Sequence, residues 1–368
     1  MHIPDGYLSP STCAALYAAV LPFWAAALRR VKALLATRFV PLVSLFAAFS
    51  FVIMMFNLPL PGGTTGHAVG IARAAIVLGP WGATIAISVA LAIQALLFGD
   101  GGILALGANC FNMAVAGSWT AAAVYRLIAG RSPIDARRRV IAGGLAGYCA
   151  INVAALLTAV ELGLQPLLFH DATGAALYAP YPLGVALPAM MLGHLSFAGL
   201  AEGLLTAGVV RYLQQSERSL LEFGVSGAGG AGGTGASGPS PALGSARGLW
   251  AALGLLLVLS PLGLLAAGSA WGEWSPAELA DPAARGEIAA ASGGVAPPAL
   301  VPSGLARLAA VWTAPLPDYA PAFLRSSAMG YIVSALVGVG LIVLAGVALQ
   351  LVLERTRRRG PSAALPQA

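Results

Sequence analysis

Apolar residues in this chain gather into unbroken stretches and do not alternate with polar ones. The stretches run near residues 8–28, 39–57, 68–98, 102–128, 138–162 and 183–210, and two more follow at about 249–270 and 327–353. Most are close to the roughly 20 residues that a helix needs to cross a bilayer. Lipid offers no partner to a bare backbone, so such stretches read as helices. The lack of polar–apolar alternation argues against a transmembrane barrel. The stretch 68–98 is too long for one comfortable span and is interrupted by Leu78-Gly79-Pro80-Trp81-Gly82. Proline removes a backbone donor and disfavours helix in the residue before it, so a break is expected there.

Charge decides how that break is read. Sixteen of the twenty Lys and Arg residues fall in four clusters, at 28–38, 126–139, 211–247 and 355–359. Such residues collect on the cytoplasmic side. The four clusters share a side only if 68–98 crosses twice, as a short segment to about Gly79 and a second span after it. The pattern therefore predicts seven spans up to Arg211, with the N-terminus outside and the end of span seven inside. Met1-His2-Ile3-Pro4-Asp5 has no basic segment ahead of the apolar stretch, so it does not read as a signal peptide. The first span itself then serves as the targeting signal.

Residues 224–245 are rich in Gly, Ser and Ala and read as a flexible linker. A span, an outer loop of about 55 residues and a last span follow, ending in Glu354-Arg355-Thr356-Arg357-Arg358-Arg359. The expected organisation is a seven-span core at 1–213, a cytoplasmic linker at 214–248, a two-span accessory module at 249–354 and a basic cytoplasmic tail at 355–368. The outer loop carries Glu273, Glu278, Asp281, Glu287 and Asp318 against Arg285, Arg307 and Arg325. That acidic excess either gathers cations or is merely solvated.

Composition agrees with a membrane protein. The chain is 58% apolar and 9% charged, where soluble domains carry about 25% charged residues. Its three cysteines, Cys13, Cys110 and Cys149, lie in apolar stretches with no CxxC. They read as small core residues, neither a zinc cluster nor a disulfide framework. Lys32 is the only lysine and does not sit in a GxxxxGK[ST] loop, so the chain carries no Walker-type ATPase of its own. If transport here is driven by ATP, a partner hydrolyses it.

Four histidines occur: His2, His67, His170 and His194. In the topology above the first three lie on or near the outer face and His194 lies within span seven, where ionisable groups mark function by default. His2 stands out by position. A free amino terminus followed by histidine offers the Met1 amine, the His2 amide and the His2 imidazole, which close a five-membered and then a six-membered chelate ring. The amide must lose its proton, which a metal favouring planar nitrogen fields enforces. Methionine aminopeptidases require a small second residue, so Met1 is expected to stay. One more imidazole completes a planar four-nitrogen site suited to Ni(II) or Cu(II); low-spin Co(II) also accepts it. His67 is the best candidate. It ends the polar, glycine-rich Pro61-Gly62-Gly63-Thr64-Thr65-Gly66-His67 on the same face. From spacing alone, an ordinary loop with an exposed histidine fits equally well.

The opening MHIPDGYLSP, the loop GGTTGHAVG and the later GGILALGANCFNMA together resemble the cobalt/nickel-specific substrate-binding (S) subunits of energy-coupling-factor transporters, the CbiM/NikM family. The resemblance spans about residues 1–213. It implies an all-α polytopic fold with a seven-helix S-component core in a bacterial plasma (inner) membrane. It also implies a Co(II) or Ni(II) site formed by Met1, His2 and His67. The implied partners are a transmembrane coupling subunit of EcfT/CbiQ type and two ATPase subunits of EcfA/CbiO type. WGEWSPAEL and PLPDYAPAFL, around the outer loop, resemble the two-helix accessory subunit of CbiN/NikN (PDGLE-like) type, with Pro317-Asp318-Tyr319 recognisable and the first half departing from the PDGLE wording.

Asp5 lies in the turn signal Pro4-Asp5-Gly6 and either supports a ligand imidazole or caps the first helix. By family analogy Asn109 and Asn112 face the same region, where they orient the loop or pack helices. Ala14/Ala18 and Ala15/Ala19 suit close helix approach, a weak pattern in so alanine-rich a chain. His170 and His194 read as structural.

The leading expectation is a metal-capture permease subunit: no enzyme, no cofactor and no nucleic-acid partner, with Co2+ or Ni2+ as the transported ligand. A self-sufficient secondary permease usually wants ionisable groups spaced across the membrane. Only Asp100, Glu161 and Glu202 are acidic near or within spans, with no chain between them. An intramembrane metalloenzyme needs an open coordination position and a general base, which a site closed by four nitrogens lacks. Nitrogen ligation accepts cobalt and nickel alike, and Cu(II) more tightly.

Overall fold

A computed structural model describes residues 1–35, 39–60, 63–225, 247–266, 268–321 and 323–358. The architecture is helical, apart from a two-stranded antiparallel hairpin of β1 (Leu58–Leu60) and β2 (Thr64–Gly66). Six helices among the described residues are long and apolar enough to cross a membrane: Pro10–Val31, Ile71–Phe98, Arg137–Leu168, Leu183–Ser216, Arg247–Leu265 and Ser327–Val352. The second expected span is the shorter apolar helix α2 (Phe39–Met54), which follows α1 (Pro10–Leu35). The span expected at 102–128 is assembled from α4 (Leu106–Asn109), a π-helical stretch at Cys110–Gly117 and α5 (Ser118–Ala129).

The break expected in the third apolar stretch is a sharp bend inside α3 (Ile71–Ile93), which then runs into a π turn at Gln94–Phe98. Gly79 has φ 71° and ψ 168° and precedes Pro80. That conformation is essentially open only to glycine, and proline supplies no amide to continue the ladder. A straight helix over this stretch would separate its ends by about 42 Å at 1.5 Å per residue. Instead, His67 before it and Asp100 after it both approach His2, with ring centroids 5.0 Å apart for His67 and a 2.9 Å contact for Asp100. The bend lies at the opposite, basic end, where Trp81 packs under Arg30 at 5.0 Å and Gly79 shares a cavity with Arg126 and Arg139. The chain therefore descends to Gly79 and returns.

Behind these elements α6 (Arg137–Leu168) packs along the last core span, made of α7 (Leu183–Gly193), a π turn at His194–Ala198 and α8 (Gly199–Ser216). Small residues set the approach: a Cβ on Gly147 would lie 2.8 Å from the Glu202 carbonyl, and one on Gly143 would lie 2.8 Å from Val210. Close backbone contact of this kind is how helices associate in lipid. The outward faces carry bare Leu127, Leu204 and Leu265, each more than 70% exposed, as lipid-facing surface requires. The stretch expected to be linker from residue 214 begins helical, with α8 reaching Ser216 and α9 covering Arg218–Val225. The glycine-rich part from 226 to 246 lies outside the described residues, as do Arg38, Pro61, Gly62 and Arg359.

The C-terminal module supplies α10 (Arg247–Leu259), short helices α11 (Pro276–Ala280), α12 (Pro282–Ala291) and α13 (Ser303–Leu308), and the long α14 (Ser327–Arg358). Gly338 and Gly346 of α14 sit against Phe51 and Ser44 of α2, where any Cβ would collide. Between its spans the module folds back over the N-terminal residues: Tyr7 donates to the Trp274 carbonyl at 2.7 Å, and Trp271 and Trp274 pack on Tyr181.

Candidate metal centre

Residues before Pro10 are not helical, because Pro4 and Gly6 break any helix; they thread into the bundle instead. Met1 and His2 are 2% exposed and Ile3 is fully buried. A buried extended segment must satisfy its backbone, and Asn109 does so reciprocally. Its Oδ1 accepts from the Ile3 amide at 2.8 Å and its Nδ2 donates to the Ile3 carbonyl at 3.1 Å. Gly102 adds a 2.8 Å bond to the same carbonyl. Asp5 accepts from the amides of Ile103 at 3.1 Å and Leu104 at 2.7 Å. It neither supports a histidine nor caps α1: it fastens the N-terminal segment to the 101–104 loop. Burial raises the Asp5 pKa despite these bonds.

The hairpin delivers His67, which is 5% exposed, so it is not the exposed loop histidine that spacing alone allowed. Beyond it Gly70 turns the chain with φ 79°. Oε2 of Glu202, on α8, accepts from the Val69 and Gly70 amides, each at 2.8 Å. His67 Nδ1 lies 3.2 Å from the Ala68 carbonyl. Its pKa is held well below the usual imidazole value, by burial first and then by charge on His2 and the amino terminus. It is thus kept in the neutral form that can donate a lone pair.

At the centre, the Met1 amine lies 2.9 Å from Glu273 Oε1 and His2 Nδ1 lies 2.9 Å from Asp100 Oδ1. The second contact is out of line for a ring N–H, and neither ring nitrogen of His2 has a hydrogen-bond partner. Burial raises the Asp100 pKa, but the neighbouring His2 and the hydroxyl of Tyr319 outweigh it and hold the carboxyl below the usual range. Donor atoms of His2, Asp100 and Glu273 all lie within 4.8 Å of one another. Asp100 and Glu273 border a cavity of about 570 Å³ that Asp5, His67, Asp318 and Tyr319 also line.

The remaining expectations separate clearly. Asn112 donates to Glu161 at 2.8 Å and Thr158 at 3.2 Å, both on α6, and so packs helices. His170 is exposed, with Nδ1 3.1 Å from the Asp171 carbonyl. His194 is buried with Nδ1 2.9 Å from the Met190 carbonyl one turn back. All three cysteines are free thiols. Sequence reasoning did not place Glu273, Asp100, Tyr319 or Glu202 around the centre. Asp100 and Glu202 were visible as rare charges in apolar stretches. The roles of Glu273 and Tyr319 depend on how a distant module folds back, which no local pattern carries.

Fold and centre together define a polytopic helical membrane protein with nitrogen and carboxylate donors of metal-binding type at one end of the bundle. The sequence matches the family described as the cobalt uptake substrate-specific transmembrane region, CbiM, over residues 2–220, and the PDGLE domain over residues 246–355. The chain belongs to the CbiM family and carries a fused PDGLE domain. It is 58% identical over 359 residues to the fused nickel transport protein NikMN of Rhodobacter capsulatus, covering 98% of this chain and 99% of that one. It is 42% identical over 347 residues to the probable fused nickel transport protein LarMN of Lactiplantibacillus plantarum, covering 94% and 96%. A crystal structure of a truncated transition metal transporter is 52% identical with a TM-score of 0.55, covering 58% of this chain and 98% of that chain.

Proposed function

We propose that this protein is the metal-capture subunit of an ATP-driven cobalt/nickel importer. It binds Co(II) or Ni(II) from outside through the Met1 amine, the His2 amide and imidazole, and the imidazole of His67. The observation that carries this reading is the approach of the buried rings of His2 and His67 to 5.0 Å between centroids, next to the buried Met1, although 65 positions separate the two histidines. Four nitrogens in a plane suit late divalent ions that tolerate an ionised amide. The similarity to nickel transport proteins points to the same cargo.

The chain has no Walker lysine, so energy must come from partners: a coupling subunit of EcfT/CbiQ type and ATPases of EcfA/CbiO type. Helix α1 presents Ala14, Ala15 and Ala18 outward, a small-residue face suited to docking another membrane helix. By the excess of Lys and Arg expected on the cytoplasmic side, the metal end is read as outside and the basic loops as cytoplasmic.

The decisive experiment adds one residue before Met1. The extension moves histidine to third place and turns the old amine into an amide, so both chelate rings lose their size. High-affinity Ni(II) retention should vanish while membrane insertion and the melting temperature in detergent persist. Retention unchanged in that variant would falsify the amine-and-amide chelate.

A further inference from the structure

Two of the three groups read as ligands at the amino terminus, the amine and the imidazole, are covered by a carboxylate. Glu273 Oε1 touches the Met1 amine and Asp100 Oδ1 touches the His2 ring, each at 2.9 Å. The two come from opposite parts of the chain, Asp100 from the loop after α3 and Glu273 from the C-terminal module. Asp100 is held to a single outlook. Its Oδ2 accepts from the Tyr319 hydroxyl at 2.6 Å and from Gln94 Nε2 at 3.0 Å, which leaves Oδ1 facing His2. The side chains of Asp100 and Glu273 keep 18% and 20% exposure, whereas that of His2 keeps 1%. The oxygens therefore lie on the solvent side of the nitrogens, bordering the cavity of about 570 Å³. The His2 ring, with no hydrogen-bond partner on either nitrogen, adds an unsatisfied donor among them.

We propose that Asp100, Glu273 and the His2 imidazole form an oxygen-rich capture subsite, which shares that imidazole with the four-nitrogen plane and takes up the aqua ion first. Carboxylates exchange readily with the water shell of a divalent ion, because both are hard oxygen ligands. A plane that includes an ionised amide demands that the ion shed its waters and that the protein shed protons. An intermediate with two carboxylates and one imidazole divides that demand. It also draws Glu273 off the Met1 amine, which binds next. The fused module then completes the path into the centre by supplying Glu273. This inference rests on the reading of Met1, His2 and His67 as the final ligands.

The test uses the full chain with its authentic Met1, in detergent, and two probes. Rapid mixing with nickel chloride measures association, and transfer to an excess of chelator measures release. Glu273→Gln should slow association by about tenfold and leave the release rate within about twofold of the starting protein. Glu287→Gln, an exposed neutralisation in the same loop, controls for the general field and should change neither. Mn(II), which prefers oxygen and gains little from a planar nitrogen field, is the second probe. It should bind the starting protein and His67→Ala alike, and bind neither Glu273→Gln nor Asp100→Asn. Equal slowing in Glu273→Gln and Glu287→Gln, or no Mn(II) binding by the starting protein, overturns the subsite. Unchanged Ni(II) release from His67→Ala would instead overturn the four-nitrogen plane, an outcome the Mn(II) measurement does not mimic.

Discussion

The hydroxyl of Tyr319 donates to Oδ2 of Asp100 at 2.6 Å, joining residues 219 positions apart. Tyr319 is buried, stacks on Phe98 with centroids 4.7 Å apart and meets Phe51 edge-on at 6.2 Å. One side chain thus anchors the C-terminal module to the core and fixes the carboxylate beside His2. Tyr319→Phe keeps the ring and removes only the hydroxyl. A hydrogen bond to a charged group is worth about 1.5–3 kcal/mol, so the melting temperature in detergent should fall by several degrees. Tyr319→Ala also loses the aromatic packing and should fall further, by a total of about 3–5 kcal/mol. Equal melting temperatures for Phe and the native residue would show that the bond contributes nothing.

Glu202 makes a different kind of link. From span seven it holds the amides two and three residues past His67. Removing the buried carboxylate leaves both amides unpaired, at about 1–3 kcal/mol each. Glu202→Ala is expected to lose that much stability. Glu202→Gln keeps one acceptor for the loop; it should stay folded and lower nickel affinity by about tenfold through a displaced His67. Isothermal titration with nickel on the folded Gln variant checks the second statement, and wild-type affinity there would contradict it.

The spans were legible because lipid imposes one pattern on backbone. The break in 68–98 was legible too, since Gly79-Pro80 called for one, and the bend falls at Gly79. His2 and His67 could be paired on paper because few nitrogen donors exist. What stayed hidden was of one kind. Asn109 holds the Ile3 backbone, Asp5 holds the 101–104 loop, and Glu273 and Tyr319 arrive from beyond residue 270. Each is a contact between segments distant in sequence, fixed by packing and not by local spacing. The acidic outer loop offered its charges without saying which one turns inward.

Asp318 occupies an uncommon backbone position, with φ 54°. Left-handed geometry is tolerated by asparagine better than by most residues. Desolvation of its carboxyl, then the charges of Asp100 and Glu278, raise its pKa above the ordinary 3.8. A carboxyl whose folded pKa is raised binds a proton more readily folded than unfolded. It therefore destabilises the fold once pH exceeds the folded value, and not below about 3.8. Asp318→Asn should raise the melting temperature at pH 7, and the advantage should shrink on acidification toward pH 4. A constant advantage across that range would leave only the backbone preference as its cause.

If the chain only captures metal, nucleotide should make no difference to it alone. No P-loop lysine is present, so purified protein should bind nickel with no measurable ATP hydrolysis. In lipid vesicles, ATP-dependent nickel uptake should appear only after a coupling subunit and two ATPases are added. Robust uptake by the chain alone would favour a self-sufficient permease.

The three histidines beyond His2 give the sharpest contrast. His67 is buried with its ring 5.0 Å from that of His2, whereas His170 is exposed and bonded only to its neighbour's carbonyl region. His194 is buried as deeply as His67, yet its Nδ1 is turned back to Met190 one helical turn away. If burial were what mattered, His67→Ala and His194→Ala would weaken metal binding together. If ligation matters, only His67→Ala should. The three-nitrogen terminal chelate survives that change, so the ion should still bind, with affinity reduced by more than the roughly 10–100-fold typical of an outer-shell substitution. Cu(II) bound to the variant should also show a changed visible spectrum, because one of four in-plane nitrogens is replaced by water. His170→Ala should leave affinity and spectrum as they are. Nickel titrations and copper spectra on the three variants, each with an authentic Met1, read both quantities, and equal losses in all three would remove His67 from the plane.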